Sequence, residues 1–193
     1  MNAVIAAGAA RTPALANLSR SWNLPPGTMT PVGYWDVQAT TFIAEGGLDE
    51  REASHVFALV NAAAMDSVIG CWEAKYHYLV LRPWMVRPDA FPWPSMIIRR
   101  PNHPSYPSGH SCVSAAAGEV LKSFFPAKAA TLDQQVAEAG ESRINAGIHY
   151  PMDIATGRAL GRSVAEWALK YDRHHGLLAA VGLDEKHEEH NEH

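Results

Sequence analysis

The hydrophobic positions of this 193-residue chain recur with the period of an α-helix rather than with the alternation of a strand. Five stretches carry an apolar face of this kind, and each is bounded by residues that start or stop helices. No other stretch shows a clear alternation of apolar and polar residues, so the chain is expected to fold as an all-α protein. The five predicted helices cover residues 34–44, 49–82, 110–125, 131–147 and 151–171.

The helix boundaries follow from capping residues and prolines. Asp49 caps the second predicted helix, and Pro83 ends it. The third helix is closed by Pro126, and the fourth starts at residues 131–134, whose Thr-Leu-Asp-Gln sequence fits a capping box. Pro151 stands at the first position of the last helix, where its missing N–H costs nothing.

Two terminal segments flank the predicted helical domain of residues 34–173. Residues 1–33 could hold a short helix early on, but repeated prolines favour an extended N-terminal arm. Residues 174–193 are charged and lack periodicity, which predicts a mobile C-terminal tail. The tail histidines could bind adventitious metal, although a solvated tail explains them better.

A third segment, residues 84–107, is dense in proline and tryptophan. A loop of this length inside a compact domain is usually functional, so it is predicted to form a wall or lid over a site. Trp84 and Trp93 would equally serve to pin the loop by burial.

The composition narrows the class of protein. Hydrophobic residues make up 47% of the chain and charged residues 19%, as in a soluble globular protein. The net charge of −4 gives no reason to expect nucleic acid as a partner, and no apolar run is long enough to predict a transmembrane segment. Cys71 and Cys112 form neither a metal-type pair nor a disulfide framework, which favours small buried side chains.

The sequence Pro-Ser-Gly-His at residues 107–110 predicts a tight turn that leads into the first turn of a helix. The unpaired amides and the dipole of a helix start attract anions, and Gly109 lets the backbone approach a ligand closely. Ser108 adds a hydroxyl donor, and His110 adds a proton carrier. Taken alone, these four residues are more often just a turn and a helix cap.

Other charged residues change that interpretation. Lys75 and Arg82 are seven residues apart, so they are predicted to project from one face at the end of the second helix. Alone they would be a solvated basic helix end. Arg143 adds a third cation, and His149 and Asp153 are four residues apart, a spacing that lets a carboxylate orient an imidazole. Three cations and two histidines together predict a cage for a tetrahedral oxyanion.

In this order the residues resemble the three-part signature of the type-2 phosphatidic acid phosphatase (PAP2) superfamily, which includes histidine acid phosphatases and vanadium-dependent haloperoxidases. The three parts are Lys75 with Arg82 and Pro83, then residues 107–110, then Ser142 and Arg143 with His149 and Asp153. The resemblance extends over residues 35–171. It implies a helical bundle of the PAP2 and haloperoxidase type, with the proline- and tryptophan-rich loop over the site.

The residues around these three motifs are similar to those of the bacterial vanadium-dependent haloperoxidases. Trp72 stands three residues before the lysine, where that branch has an aromatic residue lining the pocket. His103 stands seven residues before His110, at a position where chloride-oxidising members have phenylalanine and bromide-oxidising members have histidine. The resemblance therefore weakly favours bromide or iodide as the halide.

The resemblance also implies roles for the oxyanion-binding residues. Lys75, Arg82 and Arg143 would neutralise the equatorial oxygens of vanadate or phosphate. Ser108 and the amide of Gly109 would donate further hydrogen bonds to these oxygens.

Catalytic roles would fall to three residues. His149 would coordinate vanadium in a haloperoxidase, or attack phosphorus and form a phosphohistidine in a phosphatase. His110 would move protons, and Asp153 would orient His149 in either reaction.

The favoured hypothesis is that the protein is a haloperoxidase with vanadate as cofactor and with hydrogen peroxide and halide as substrates. The alternative is a soluble acid phosphatase that cleaves phosphate monoesters without a cofactor. Haloperoxidases of this kind are usually much larger, so a truncated piece, a helix-exchanging homodimer and a catalytically feeble oxyanion-binding fragment stay open. The family is often exported, which the N-terminus neither supports nor excludes, and the compartment stays open.

Overall fold

The computed structural model describes residues 1–92 and 96–175, and the regular elements in these ranges are all helical. This confirms the all-α prediction. The helices are α1 (Asn2–Ala9), α2 (Pro13–Ser21), α3 (Thr30–Gly46), α4 (Glu50–Tyr78), α5 (Pro83–Val86), α6 (Gly109–Phe124), α7 (Ala129–Asn145) and α8 (Pro151–His175), with a 3-10 turn at Pro126–Lys128.

Helix α6 lies at the centre of the bundle, surrounded by α3, α4, α7 and α8. Its small residues 111–118 are all buried. Helix α8 approaches most closely, since a Cβ at Gly161 would lie 2.3 Å from the Cys112 carbonyl oxygen, and one at Gly157 would lie 2.7 Å from the Ser108 carbonyl oxygen. Two glycines thus let the backbone of α8 lie against that of α6, beside the start of α6.

A second, smaller apolar cluster anchors the proline- and tryptophan-rich loop. Its buried members are Val4, Trp84, Phe91, Ile98, Ala146 and Ile148. Trp84 therefore holds the loop by burial, one of the two roles considered for it, while Trp93 lies outside the described residues. The cluster joins α1, the loop and the end of α7, and it fixes the loop where it passes the site.

The prediction of an extended arm over residues 1–33 is wrong, because α1 and α2 occupy most of it. Pro13 does not break α2 but begins it, at a position where no backbone donor is needed. Thr12 caps this helix, and its Oγ1 accepts a hydrogen bond from the Leu15 amide at 3.3 Å. Helix α3 likewise begins at Thr30, four residues before the predicted start.

Helix α4 starts as predicted but ends earlier. Asp49 forms a capping box at its start. The helix ends at Tyr78 rather than at Pro83, because Leu79 adopts a left-handed conformation with φ 51°. Lys75 and Arg82 therefore do not share a helix face, contrary to the prediction.

Two further boundaries concern the C-terminal half. Helix α7 begins at Ala129, directly after the 3-10 turn, and no side chain caps it, so the capping box predicted at residues 131–134 is wrong. Helix α8 begins at Pro151 as predicted and continues to His175. Residues 176–193 of the expected mobile tail lie outside the described residues.

The segment Glu50–Val86 contains an 18-residue window with a mean hydropathy of 1.3, of which 39% is buried. Within the described part of the chain, it is the one segment whose length and composition would let it cross a bilayer. Core helices of soluble proteins meet the same criterion, and α4 contributes Val56, Val60 and Ala63 to the core. The expected absence of a membrane-spanning segment therefore stays a prediction.

Candidate active site

The first turn of α6 forms one side of a pocket. Ser108 caps the helix, and its own amide donates a hydrogen bond to the Asp153 carbonyl oxygen at 3.0 Å, which ties α6 to α8. Gly109 is the first helical residue, so its amide has no acceptor within the helix. A Cβ at this position would lie 3.0 Å from the Trp72 ring. Glycine therefore lets the indole pack against the backbone beside an amide that can bind an anion.

His149 and Asp153 form a buried pair at the start of α8. The His149 Nδ1 lies 2.8 Å from Asp153 Oδ2, which also accepts hydrogen bonds from the Ser105 hydroxyl at 2.5 Å and the Tyr150 amide at 3.0 Å. A carboxylate on Nδ1 fixes the neutral imidazole with its proton on that nitrogen. The lone pair of His149 is therefore on Nε2.

Arg82 lies next to that lone pair. Its Nη1 is 3.0 Å from His149 Nε2 and donates to the Ile148 carbonyl at 2.6 Å. Its Nε donates to the carbonyl of His103 at 3.0 Å, and its Nη2 lies 3.2 Å from His103 Nδ1. Since guanidinium can only donate, it holds both imidazoles by their acceptor nitrogens.

Arg143 reaches the pocket from α7. Its Nε donates to the Ser142 hydroxyl at 2.9 Å, and its Nη2 donates to the Ser19 carbonyl at 2.6 Å. Within residues 1–92 and 96–175, its Nη1 has no hydrogen-bond partner. The side chain lines the pocket, so one arm of this buried guanidinium is available to a ligand.

Lys75 occupies a different position from the one its predicted role requires. Its ammonium donates to the carbonyls of Pro104 at 2.9 Å, Ser105 at 3.0 Å and Pro107. These bonds use all three donors, and Lys75 does not line the pocket. The side chain thus holds the loop that precedes α6, and direct contact with an oxyanion would require giving up one of these bonds.

The remaining predicted residues lie on the pocket wall. His110 has its Nε2 2.7 Å from the Trp22 carbonyl oxygen. The rings of Trp72 and His103 are in contact, with centroids 5.2 Å apart and planes tilted by 35°. Because His103 Nδ1 accepts from Arg82, its other nitrogen carries the proton and is a donor.

The pocket enclosed by these groups has a volume of about 600 Å³. Arg82, Arg143, His149 and Gly109 form its polar end, and Val68 and Val113 belong to its apolar lining. Residues 23–26 and 30–32 form a further wall, and residues 99–103 of the loop form another. The loop is thus a wall of the site, as predicted, and the pocket is larger than a phosphate-sized anion requires.

A family model described as the PAP2 superfamily matches residues 52–176. The chain belongs to the PAP2 superfamily.

Sequence relatives of this PAP2 member include two phosphatases. The non-specific acid phosphatase of Salmonella typhi is 30% identical over 105 residues, which are 53% of this chain and 41% of the relative. That of Salmonella typhimurium is 29% identical over 103 residues, with the same shares. The match thus spans about two fifths of these curated relatives.

Two solved structures share the fold. One is the first bacterial vanadium-dependent iodoperoxidase, with a TM-score of 0.78 and 24% identity over 88% of this chain and 47% of its own. The other is LpxE of Aquifex aeolicus, with a TM-score of 0.64 and 21% identity over 87% of this chain and 93% of its own. The chain is thus similar in sequence to acid phosphatases and in fold to an iodoperoxidase.

Burial and crowding of positive charge set the protonation states in this PAP2 site. Burial, followed by the charges of Arg82 and Lys75, lowers the pKa of His149 well below its usual value. Burial and Arg143 lower the pKa of His110 to about 3, and burial, Lys75 and Arg82 lower that of the third imidazole, His103, to about 4. The histidines are therefore neutral near pH 7, and a bound anion would favour their protonation.

The same burial acts on the cations and on the carboxyl group. It lowers the pKa of Lys75 to about 8, of Arg143 to about 9 and of Arg82 to about 10. These side chains still carry charge near pH 7. Burial also raises the pKa of Asp153, although its hydrogen bond from Ser105 opposes that shift.

Sequence reasoning missed three residues of this site. Ser105 donates to the carboxylate that orients His149, and the carbonyls of Ser19 and Trp22 contact Arg143 and His110. Ser105 lies two residues before the Pro-Ser-Gly-His motif, so its hydroxyl could have been proposed as part of the site. The carbonyl contacts leave no signal in the sequence, because every residue has a carbonyl.

Proposed function

We propose that this chain binds a tetrahedral oxyanion at His149 Nε2 and, with vanadate as that oxyanion, oxidises bromide or iodide with hydrogen peroxide. The observation that carries the proposal is the His149 and Asp153 pair. It leaves Nε2 as the acceptor nitrogen in a buried pocket, where Arg82 donates to it and Arg143 lines the same pocket. An oxyanion bonded to Nε2 would take the place of that Arg82 hydrogen bond. Such a nitrogen can bond to the central atom while the arginines neutralise its oxygens.

The donor groups fit vanadate. Arg143 has a guanidinium nitrogen without a partner in the described part of the chain, and the Gly109 amide lacks an intrahelical acceptor. Together with Arg82 they would hold the oxygens, and His149 would be the protein ligand to vanadium. When bound, vanadate supplies the electrophilic centre that activates hydrogen peroxide. The net reaction oxidises a halide ion by two electrons to hypohalous acid and reduces the peroxide to water.

The Trp72 and His103 pair favours halide chemistry. The indole ring contacts the imidazole, and His103 presents an N–H donor because Arg82 occupies its other nitrogen. A neutral donor beside an aromatic surface suits a large, weakly hydrated anion such as bromide or iodide. The bacterial iodoperoxidase of similar fold supports this candidate.

Phosphate monoester hydrolysis is the second candidate, favoured by the volume of the pocket and by the acid phosphatase relatives. In this reaction His149 Nε2 attacks phosphorus and forms a phosphohistidine. The ester P–O bond breaks, and His110 gives a proton to the departing alcohol oxygen. Water then attacks the phosphohistidine, which releases phosphate and restores His149.

Two assays on one preparation test the proposal. With vanadate, hydrogen peroxide and bromide or iodide, the protein should halogenate a phenol dye, and the His149→Ala variant should not. Turnover of p-nitrophenyl phosphate that is inhibited by vanadate, with no halogenation, would favour the second candidate instead. If neither activity appears, or if His149→Ala keeps more than about a tenth of the turnover, the assignment of His149 is wrong.

A further inference from the structure

The C-terminal turn of α2 contacts two residues of the site through backbone carbonyls. The Ser19 carbonyl accepts a hydrogen bond from Arg143 Nη2 at 2.6 Å, and the Trp22 carbonyl lies 2.7 Å from His110 Nε2. The Ser19 hydroxyl also donates to the Ser142 carbonyl at 3.0 Å, and the Ser19 side chain is fully buried. Residues 19–22 are therefore packed directly against the polar end of the pocket.

The contact with Trp22 determines which nitrogen of His110 carries the proton. A carbonyl oxygen can only accept, so the nitrogen 2.7 Å away must be an N–H donor. Neutral His110 is then the Nε2–H tautomer, and its lone pair is on Nδ1. Within residues 1–92 and 96–175, Nδ1 has no hydrogen-bond partner, and the ring lines the pocket.

We propose that residues 19–22 are a positioning element for the active site, in which the Trp22 carbonyl fixes the tautomer of His110 and the Ser19 carbonyl orients Arg143. The part concerning catalysis rests on the proposed function. It makes Nδ1 the atom through which His110 moves protons. In ester hydrolysis, Nδ1 would first take up a proton from solvent, which the bound phosphate anion favours. Nδ1–H would then give that proton to the departing oxygen, leaving the neutral Nε2–H form bound to Trp22.

The element belongs to a part of the chain that the family model does not cover, since the model matches residues 52–176. It continues directly into the pocket wall formed by residues 23–26 and 30–32. At the junction, Leu24 has a φ of 40°, a left-handed conformation that is strained for a non-glycine residue. One continuous segment thus shapes the substrate wall and orients two polar residues.

A proline at position 23 tests the role of the Trp22 carbonyl. Trp22 has φ −77° and ψ 3°, and a residue before proline is forced away from this region toward extended ψ values. Asn23→Pro should therefore rotate the Trp22 carbonyl away from His110. Asn23→Ala is the matched control, because it removes the same side chain but leaves the Trp22 backbone free to keep its conformation.

The primary readout is nitrogen-15 NMR of the histidine rings in the full-length protein near pH 7. Wild type and Asn23→Ala should show His110 protonated on Nε2 and unprotonated on Nδ1, and Asn23→Pro should show a mixture or the opposite tautomer. In whichever assay is active, Asn23→Pro should lower kcat at least about tenfold, with KM changed less than about threefold. Because Asn23 lines the pocket, both kinetic changes are measured relative to Asn23→Ala, which removes the same side chain without the proline.

An Nδ1–H tautomer in the wild type would overturn the proposal, even if Asn23→Pro fails to fold. An unchanged His110 spectrum in a folded Asn23→Pro variant would overturn it as well. The tautomer is measured without turnover, so absence of both enzymatic activities would refute the proposed function while this assignment is still decided by the spectrum.

Discussion

Replacing Asp153 with asparagine should remove the charge behind His149 while keeping the geometry. The Oδ2 position accepts hydrogen bonds from Ser105, His149 and the Tyr150 amide, whereas Oδ1 has no partner in the described part of the chain. Because the Tyr150 amide can only donate, the asparagine oxygen should take the Oδ2 position. His149 therefore keeps its tautomer and the negative charge is lost, while the new NH2 group takes the Oδ1 position, which has no partner among the described residues.

The expected effect follows from the charge that develops on the imidazole. When His149 Nε2 bonds to phosphorus or vanadium, the ring becomes positive beside a carboxylate whose oxygen lies 2.8 Å from Nδ1. Two charges about 4 Å apart at an effective dielectric constant of about 20 interact by about 4 kcal/mol. The Asp153→Asn variant should therefore bind vanadate about 10³-fold more weakly. Vanadate mimics phosphate, so this readout applies to both candidate reactions.

Isothermal titration with vanadate measures the loss, and a helix neighbour provides the control. Asp172, also on α8, holds His55 at 2.9 Å and does not line the pocket. The Asp172→Asn variant should lose a similar His and Asp pair with vanadate affinity unchanged within about threefold. If Asp153→Asn loses less than about tenfold in affinity, then Asp153 does not stabilise charge on His149.

Three further outcomes are expected. Gly161→Ala should lower the free energy of unfolding, measured in urea, by at least about 1–3 kcal/mol, because its Cβ would lie 2.3 Å from a carbonyl oxygen. The control variant Gly70→Ala should not destabilise the fold, because its nearest contact would be at 3.6 Å. Lys75→Met should lower the free energy of unfolding by at least about 3 kcal/mol, because three carbonyls lose their donor. A loss under about 1 kcal/mol together with weakened phosphate binding would instead assign Lys75 to the oxyanion. The thermal midpoint of unfolding should decrease as the pH is lowered from 7 to 5. In the unfolded chain the histidines bind protons near pH 6.5, whereas in the folded chain the pKa values of His103 and His110 are about 4 and about 3. A constant or rising midpoint would contradict those protonation states.

The convergence of Arg82, Arg143 and His149 on the start of α6 could be predicted because their spacing matches a family signature. Their local geometry could not. Arg82 was assigned to the end of α4, yet that helix ends at Tyr78 and a turn delivers Arg82 to the pocket. Proline signals mark where a helix cannot continue, but a left-handed residue such as Leu79 can end it earlier.

The N-terminal segment shows a second limit. Prolines suggested an extended arm, whereas Pro13 starts a helix. In the first turn a proline ring has no preceding turn to clash with, and its missing N–H would have had no acceptor within the helix. Composition could not reveal that the end of this helix lies against Arg143 and His110. Those contacts use backbone carbonyls, and tertiary packing alone decides which carbonyls they are.

The use of carbonyls explains how the site keeps its positive field. Lys75, Arg82 and Arg143 all donate to backbone oxygens, and among the described residues Asp153 is the one buried acid. Carboxylate partners would orient the cations equally well but would cancel their charge before an anion arrived. Neutral carbonyls orient them at a cost in burial, which appears as the lowered pKa values of all three. An oxyanion that binds beside Arg82 and Arg143 would offset part of that cost, so a tetrahedral anion should stabilise the folded chain more than chloride at equal concentration.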